Sequence, residues 1–204
     1  MSPITLPDAS EAASNALDRA IADRQSHRGF GSGPITLTDV AAVLWAAQGY
    51  THGNADQPMR AAPSAGATYP LETYLEVPKA GVADLAPGLY QYDPDAPTLD
   101  PIIEAPLRPE FVTAANDQPA VDNASATVIL AAEYDRTIRE YPDHGRRYVH
   151  MEAGHAAQNL HLVCVDRGLA SCPVGAFDDV ATASVLALPA ALDPLYLLPV
   201  GPAP

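Results

Sequence analysis

The stretch GRRYVHMEAGHAAQNLHLVCVDR, residues 145–167, carries the first decision about the fold. It reads as one helix of more than twenty residues closed by Gly168. Its apolar positions after Tyr148 spread well beyond a single stripe, and a helix so poorly amphipathic is buried from several sides. In a chain of 204 residues a partner subunit is a better source of that cover than a large core.

Working outward, ATVILAAEY (126–134) is a short apolar run with β-branched Thr127, Val128 and Ile129, which predicts a central strand buried on both faces. LETYLEV (71–77) alternates Leu71, Thr73, Leu75 and Val77 against Glu72, Tyr74 and Glu76, a strand with one face to the core. GLYQYDPDAPTLDPI (88–102) predicts a hairpin around an Asp-Pro turn. SEAASNALDRAIADR (10–24) predicts a helix capped by Ser10, and ITLTDVAAVLWAAQG (35–49) a second one capped by Thr38 and stopped by Gly49, with Trp45 in the core. DDVATASVLALP (178–189) gives a last helix and PLYLLPVG (194–201) a last strand. Helices and strands mix without regular βαβ alternation, so the class is α+β, read as a single domain over 1–204.

Eleven Lys plus Arg stand against twenty-five Asp plus Glu, a formal net charge of -14. Such a surface repels polyanions, which argues against nucleic-acid partners. No apolar run approaches the roughly 20 residues a membrane span needs, and the start lacks a signal-peptide layout, so a cytoplasmic location without membrane attachment is expected. Cys164 and Cys172 form no CxxC and no second pair, which argues against zinc and a disulfide scaffold. A buried reduced thiol is expected for Cys164, and His150, His155 and His161 lack metal-ligand spacing, so no metal is assigned. His155 and Asn159, four apart, share a helix face as an interface polar pair.

Lys79 is the only lysine, so positive charge here is almost all guanidinium, suited to forked anion contacts. DRQSHRGF (23–30) places Arg24, Ser26 and Arg28 at spacing two, with Gly29, Gly31 and Gly33 following. Those glycines discourage helix, and in an extended segment all three side chains line one side. That arrangement suits a phosphate monoester; the plainer alternative is a set of surface ion pairs with the many carboxylates. The region THGNADQPMRAAPSAGATYP (51–70) has no periodic pattern and is read as a long loop. Within it, Pro63, Ser64, Ala65 and Gly66 let backbone lie flat against a planar ligand. In CPVGAFDD (172–179), Val174, Gly175 and Ala176 form an unobstructed turn before a helix that Asp178 can cap, leaving N–H groups to meet an electron-rich ring atom. Each of the two segments could equally be an ordinary connection.

Taken together, DRQSHRGF, LTDVAAVLWAAQGYT, RAAPSAGATYPLETYLEV, PGLYQYDP, YVHMEAGHAAQNLHLVCVDRGLASCPVGAFDD and LYLLPVG resemble, in this order, the nitroreductase-like flavoproteins, most closely the SagB/ThcOx-type dehydrogenases. The resemblance runs from about Arg24 to Gly201. It implies a nitroreductase-like fold with a central, mostly antiparallel sheet packed with helices. It also implies a homodimer with the long helix at the interface and one FMN in each of two shared sites. Arg24, Ser26 and Arg28 would bind phosphate and ribityl, residues 63–66 would border the isoalloxazine ring in part from the partner chain, and Val174, Gly175 and Ala176 would lie at the reactive flavin nitrogen. Around REYPDHGRRYVHMEAGH, a Lys-Tyr pair of the azoline-oxidising relatives stands where this chain has Glu140 and Tyr141, which makes Tyr141 and Glu140 the candidate catalytic residues. Many relatives carry a basic residue beyond the last strand, where only proline and alanine follow Gly201, leaving Arg60 or Arg147 as further phosphate candidates. The implied activity is an FMN-dependent oxidoreductase, foremost a dehydrogenase of a peptide or small natural product. The alternatives are an NAD(P)H-dependent nitro or quinone reductase and a non-catalytic flavin- or partner-binding subunit.

Overall fold

The computed structural model describes residues 15–54 and 57–204. The long helix forms as the sequence predicts, as α6 (Gly145–Asp166), with Gly168 at a positive φ of 67° just beyond it. Beneath it lies a six-stranded sheet in the order β5 (Thr98–Ile103), β4 (Gly88–Asp93), β3 (Leu71–Val77), β6 (Ala126–Ala132), β8 (Asp193–Pro202), β7 (Leu169–Ser171), with every neighbouring pair antiparallel. The apolar run at 126–134 is the central strand expected, buried along its whole length.

Both faces of the sheet are covered. α6 and α2 (Leu37–Gln48) pack with Leu75, Val77, Val128 and Leu130 on one face, while Tyr74, Ile129 and Ala131 join Phe111, Val121 and Leu186 on the other. That second layer comes from α3 (Arg108–Ala114), α4 (Pro119–Asp122) and α7 (Asp179–Val185). It corrects the reading of LETYLEV as a one-faced strand: Tyr74 is buried, and Glu76 is fully buried because Arg108 reaches it. α3, α4 and α5 (Tyr134–Ile138) run seven, four and five residues, too short to carry a helical period.

Three further expectations are corrected. The cap of α2 is Thr36 rather than Thr38, because Asp39 completes a reciprocal box: the Asp39 N–H donates to Thr36 Oγ1 at 3.1 Å and the Thr36 N–H to Asp39 Oδ2 at 3.0 Å. Trp45 is 49% exposed. It sits one residue, about 100° of turn, past the buried Leu44, and its indole N–H donates to the Tyr50 carbonyl at 3.0 Å. The supposed loop at 51–70 opens with a two-stranded ribbon, β1 (Tyr50–Asn54) and β2 (Gln57–Arg60), apart from the main sheet. Ser10 lies outside the described residues; the described helix α1 (Ala16–Asp23) is capped by Asn15, whose side-chain oxygen accepts from the Asp18 N–H. Among the described residues no helix is long and apolar enough to cross a membrane.

Candidate active site

The cationic segment leaves α1 at Arg24 in extended conformation (φ -60°, ψ 122°) and runs beside β7, where Ser26 bridges Ser171 in parallel and the His27 N–H donates to the Ser171 carbonyl at 3.0 Å. The segment stays out of helix from Arg24 onward and bends at Arg28 and Gly29, with Ser26 and Arg28 exposed and Arg24 half-buried. Neither Arg24 nor Arg28 pairs with a carboxylate among the described residues, although Arg108, Arg136, Arg139 and Arg167 all do. In so acidic a chain, two unpaired guanidiniums flanking an exposed Ser26 argue against the surface ion-pair alternative.

β7 also delivers the 172–178 turn to the same place. Val174 is buried and exchanges both backbone hydrogen bonds with Leu197, at 2.8 and 3.0 Å, so it serves as the anchor of the turn. The Ala176 carbonyl accepts from Gln118 Nε2 at 3.3 Å, and the Asp178 N–H is held by the Ala114 carbonyl at 2.9 Å. Asp178 Oδ1 caps α7 through the Ala181 N–H, as its position predicts. The N–H groups of Gly175 and Ala176 are not engaged by another described residue. Beside Gly175, a cleft of about 420 Å³ opens between Tyr196, Leu195 and the His150, Ala153 and Gly154 positions of α6.

His161 is the residue here that carried no functional signal in the sequence. It is buried, its Nδ1 bonds Ser171 Oγ, and burial together with the Arg24 charge pushes its pKa down to about 4. A folded-state pKa below the unfolded value means stability that is complete above pH ~6.5 and is lost as pH falls toward ~4. Glu152, whose pKa is raised, acts in the opposite sense. Chemical denaturation at pH 7 and 4.5 is therefore expected to show His161→Gln retaining up to about 3 kcal/mol that the native chain loses, from the size of the shift; equal losses in both proteins would reject it.

The 63–66 turn stands elsewhere. Gly66 adopts φ 61°, and a Cβ placed on it would lie 3.0 Å from the Tyr141 hydroxyl, so the turn requires glycine and touches Tyr141. Ser64 Oγ accepts from the Tyr69 N–H at 3.0 Å, and Asn159 Nδ2 donates to the Ala61 carbonyl at 3.2 Å. Asn159 is thus spent on the turn, and His155 is exposed rather than paired with it. Tyr141 also packs edge-on against Tyr148, centroids 5.2 Å apart, whereas the Glu140 side chain is exposed and meets no described partner. Arg60 belongs to this cluster, its guanidinium 4.7 Å from the Tyr69 ring centroid and 2.8 Å from Gln48 Oε1, away from the 24–28 segment.

The structure therefore joins two of the three sequence segments and leaves the third apart. Glu152 beneath the 63–66 turn and His161 beside the 24–28 segment are nine residues apart on α6, which is about 13 Å along the axis and half a turn around it. No hydrogen bond or ion pair joins the clusters among the described residues. No group of three or more His, Cys, Asp or Glu that could hold a metal occurs among those residues, and Cys164 and Cys172 are free, buried thiols.

Comparison with known proteins bears on the family and the fold. A curated relative, the candidate nitroreductase MJ1384 of Methanocaldococcus jannaschii, is 39% identical over 198 residues, 97% of this chain and 95% of its own. A crystal structure of a candidate nitroreductase from Anabaena variabilis matches 92% of the chain at TM-score 0.79 and 27% identity; this chain spans only 38% of that one. Two more distant structures share the fold. One is a chain of the Escherichia coli McbBCD microcin synthetase complex (TM-score 0.82, 20% identity, 100% of this chain and 76% of that one). The other is the NADPH:FMN oxidoreductase of Vibrio harveyi complexed with NAD+ (TM-score 0.61, 19% identity, 93% and 69%). The model described as the nitroreductase family matches residues 21–202, and with the α+β fold and these relatives it establishes that the chain belongs to the nitroreductase family.

Proposed function

We propose that the protein is an FMN-dependent oxidoreductase working as a homodimer, in the SagB/ThcOx-type branch of its family, and that it dehydrogenates a peptide or small natural product. The observation that carries the flavin reading is the unpaired Arg24 and Arg28 beside the unengaged N–H groups of Gly175 and Ala176. Cations for a phosphate lie on the segment bridged to β7 at Ser171, and donors for a ring nitrogen on the turn that follows β7. This donor set fits FMN, and the FMN named for the Vibrio harveyi structure is in keeping with it.

The separation of the clusters supports the homodimer. A second copy packed against α6, whose outward face carries Met151, 52% exposed, and Gly154, where a Cβ would meet nothing within 4 Å, can bring its own 63–66 turn to the first copy's 24–28 segment. Bound there, FMN supplies two-electron redox chemistry. The chain's own tasks are to hold the phosphate, offer N–H groups to the ring and exclude water. Tyr141, against the turn, can hold or move a proton at its hydroxyl, with Glu140 exposed beside it in sequence.

The protein is expected to purify yellow. On stopped-flow mixing with NADPH, flavin absorbance should persist; rapid bleaching would instead support the NAD(P)H-dependent reductase, the second reading, to which the NAD+ of the Vibrio harveyi complex points. Colourless protein that takes up no added FMN would reject both.

A further inference from the structure

We propose that Glu152 is a positioning residue that links the seating of the flavin ring on the 63–66 turn to the uptake of a proton. The inference rests on the flavin reading above. Glu152 projects from α6 beneath the turn and is 3% exposed. Ser64 Oγ accepts from the Tyr69 N–H, and Ser64 lines the same cleft as Glu152, where its influence favours the ionised carboxylate. The carboxyl oxygen Oε1 is buried with no partner. Buried carboxylate oxygens normally find donors, and Glu152 is one wall of a cleft of about 270 Å³ whose others include Pro63, Ser64, Met151 and His155.

The groups facing this carboxyl are few. Arg60 from β2 attracts it but forms no ion pair, being committed to Gln48 and stacked between the rings of Tyr50 and Tyr69. Ser64 faces it from the turn, and Tyr148 and His155 share the cleft from neighbouring turns of α6. Burial already pushes the Glu152 pKa up to about 7, against the pull of Ser64 and Arg60. A ring laid on the turn closes the cleft to water, and further desolvation favours the neutral carboxyl. The liganded pKa then exceeds the free one, so the contribution to affinity is complete below pH ~7 and is lost as pH rises through the liganded value. A rise of one unit on seating limits the effect to about tenfold.

The test is FMN binding, followed by quenching of flavin fluorescence from pH 6.5 to 8.5, in the native protein and in the near-isosteric Glu152→Gln. The Kd of the native protein is expected to weaken about sixfold more than that of the variant across this range, most of the tenfold limit; titration of the FMN phosphate is common to both and cancels. Parallel profiles would overturn the proposal while leaving the flavin reading intact, whereas no FMN binding by either protein at any pH would overturn both. Should the variant not fold, calorimetry of the native protein at pH 7.5 in two buffers of different ionisation enthalpy decides. Net proton uptake on FMN binding supports the proposal, and none, or release, overturns it.

Discussion

Arg24→Ala and Arg28→Ala are each expected to weaken FMN binding by about 1.5–3 kcal/mol, the worth of a hydrogen bond to a charged group. The double substitution should leave the protein colourless after gel filtration. The physical ground is the absence of compensation. Neither guanidinium is held by a carboxylate among the described residues, so truncation breaks no ion pair among those residues and the loss is expected to fall on the ligand. Folding should be unaffected, which separates a binding defect from a structural one. Arg139→Ala is the control: its contact with Asp135 is long, at 4.0 Å, and exposed on both sides, and such pairs contribute little. Retention of flavin by both single variants, measured by equilibrium titration, would remove the 24–28 segment from the site.

Arg108→Ala is expected to lower stability by about 3–5 kcal/mol, the penalty for leaving half of a buried ion pair alone. For a chain of this size that corresponds to a fall in Tm of about 6–20 °C. Arg108 donates to Glu76 through Nε at 3.1 Å and Nη2 at 2.6 Å, and Nη1 reaches the carbonyls of Val121, Asp122 and Ala124. Removing it strands a carboxylate whose burial already holds its pKa above the usual range despite the arginine, along with three carbonyls at the end of α4. Replacing both partners together, as Glu76→Leu with Arg108→Met, should cost much less than either truncation, because no charge remains to be desolvated. A calorimetric scan in which the single substitution shifts Tm by under 2 °C would contradict this account.

Arg108 also shows where reading the sequence stops. The alternation of LETYLEV is correct as a period, but it cannot tell that a second helical layer covers the Glu76 face. That layer comes from α3 and α4, which are too short to have a period of their own. Trp45 failed for a related reason: area argues for burial, yet the buried stripe of α2 is set by where α6 lies, and Trp45 falls one position outside it. The ribbon at β1 and β2 was hidden because Gly53 and Pro58 interrupt any alternation, while its hydrogen bonds, being backbone, do not depend on it.

By itself, the sequence determined the periodic and the local: α6 and its glycine stop, the central strand, the 88–102 hairpin, the non-helical course of the chain from Arg24, the Asp178 cap, and the set of motifs that marks the family. Only the tertiary structure decided which motifs meet. Strand pairing along β7 brings the cationic segment to the 172–178 turn, while the geometry of α6 sends Glu152 and the 63–66 turn to its other side. Periods of two and 3.6 residues are fixed by backbone sterics within a few neighbours. Encounters between segments more than a hundred residues apart are fixed by which faces the packed layers bury, and no local pattern encodes that.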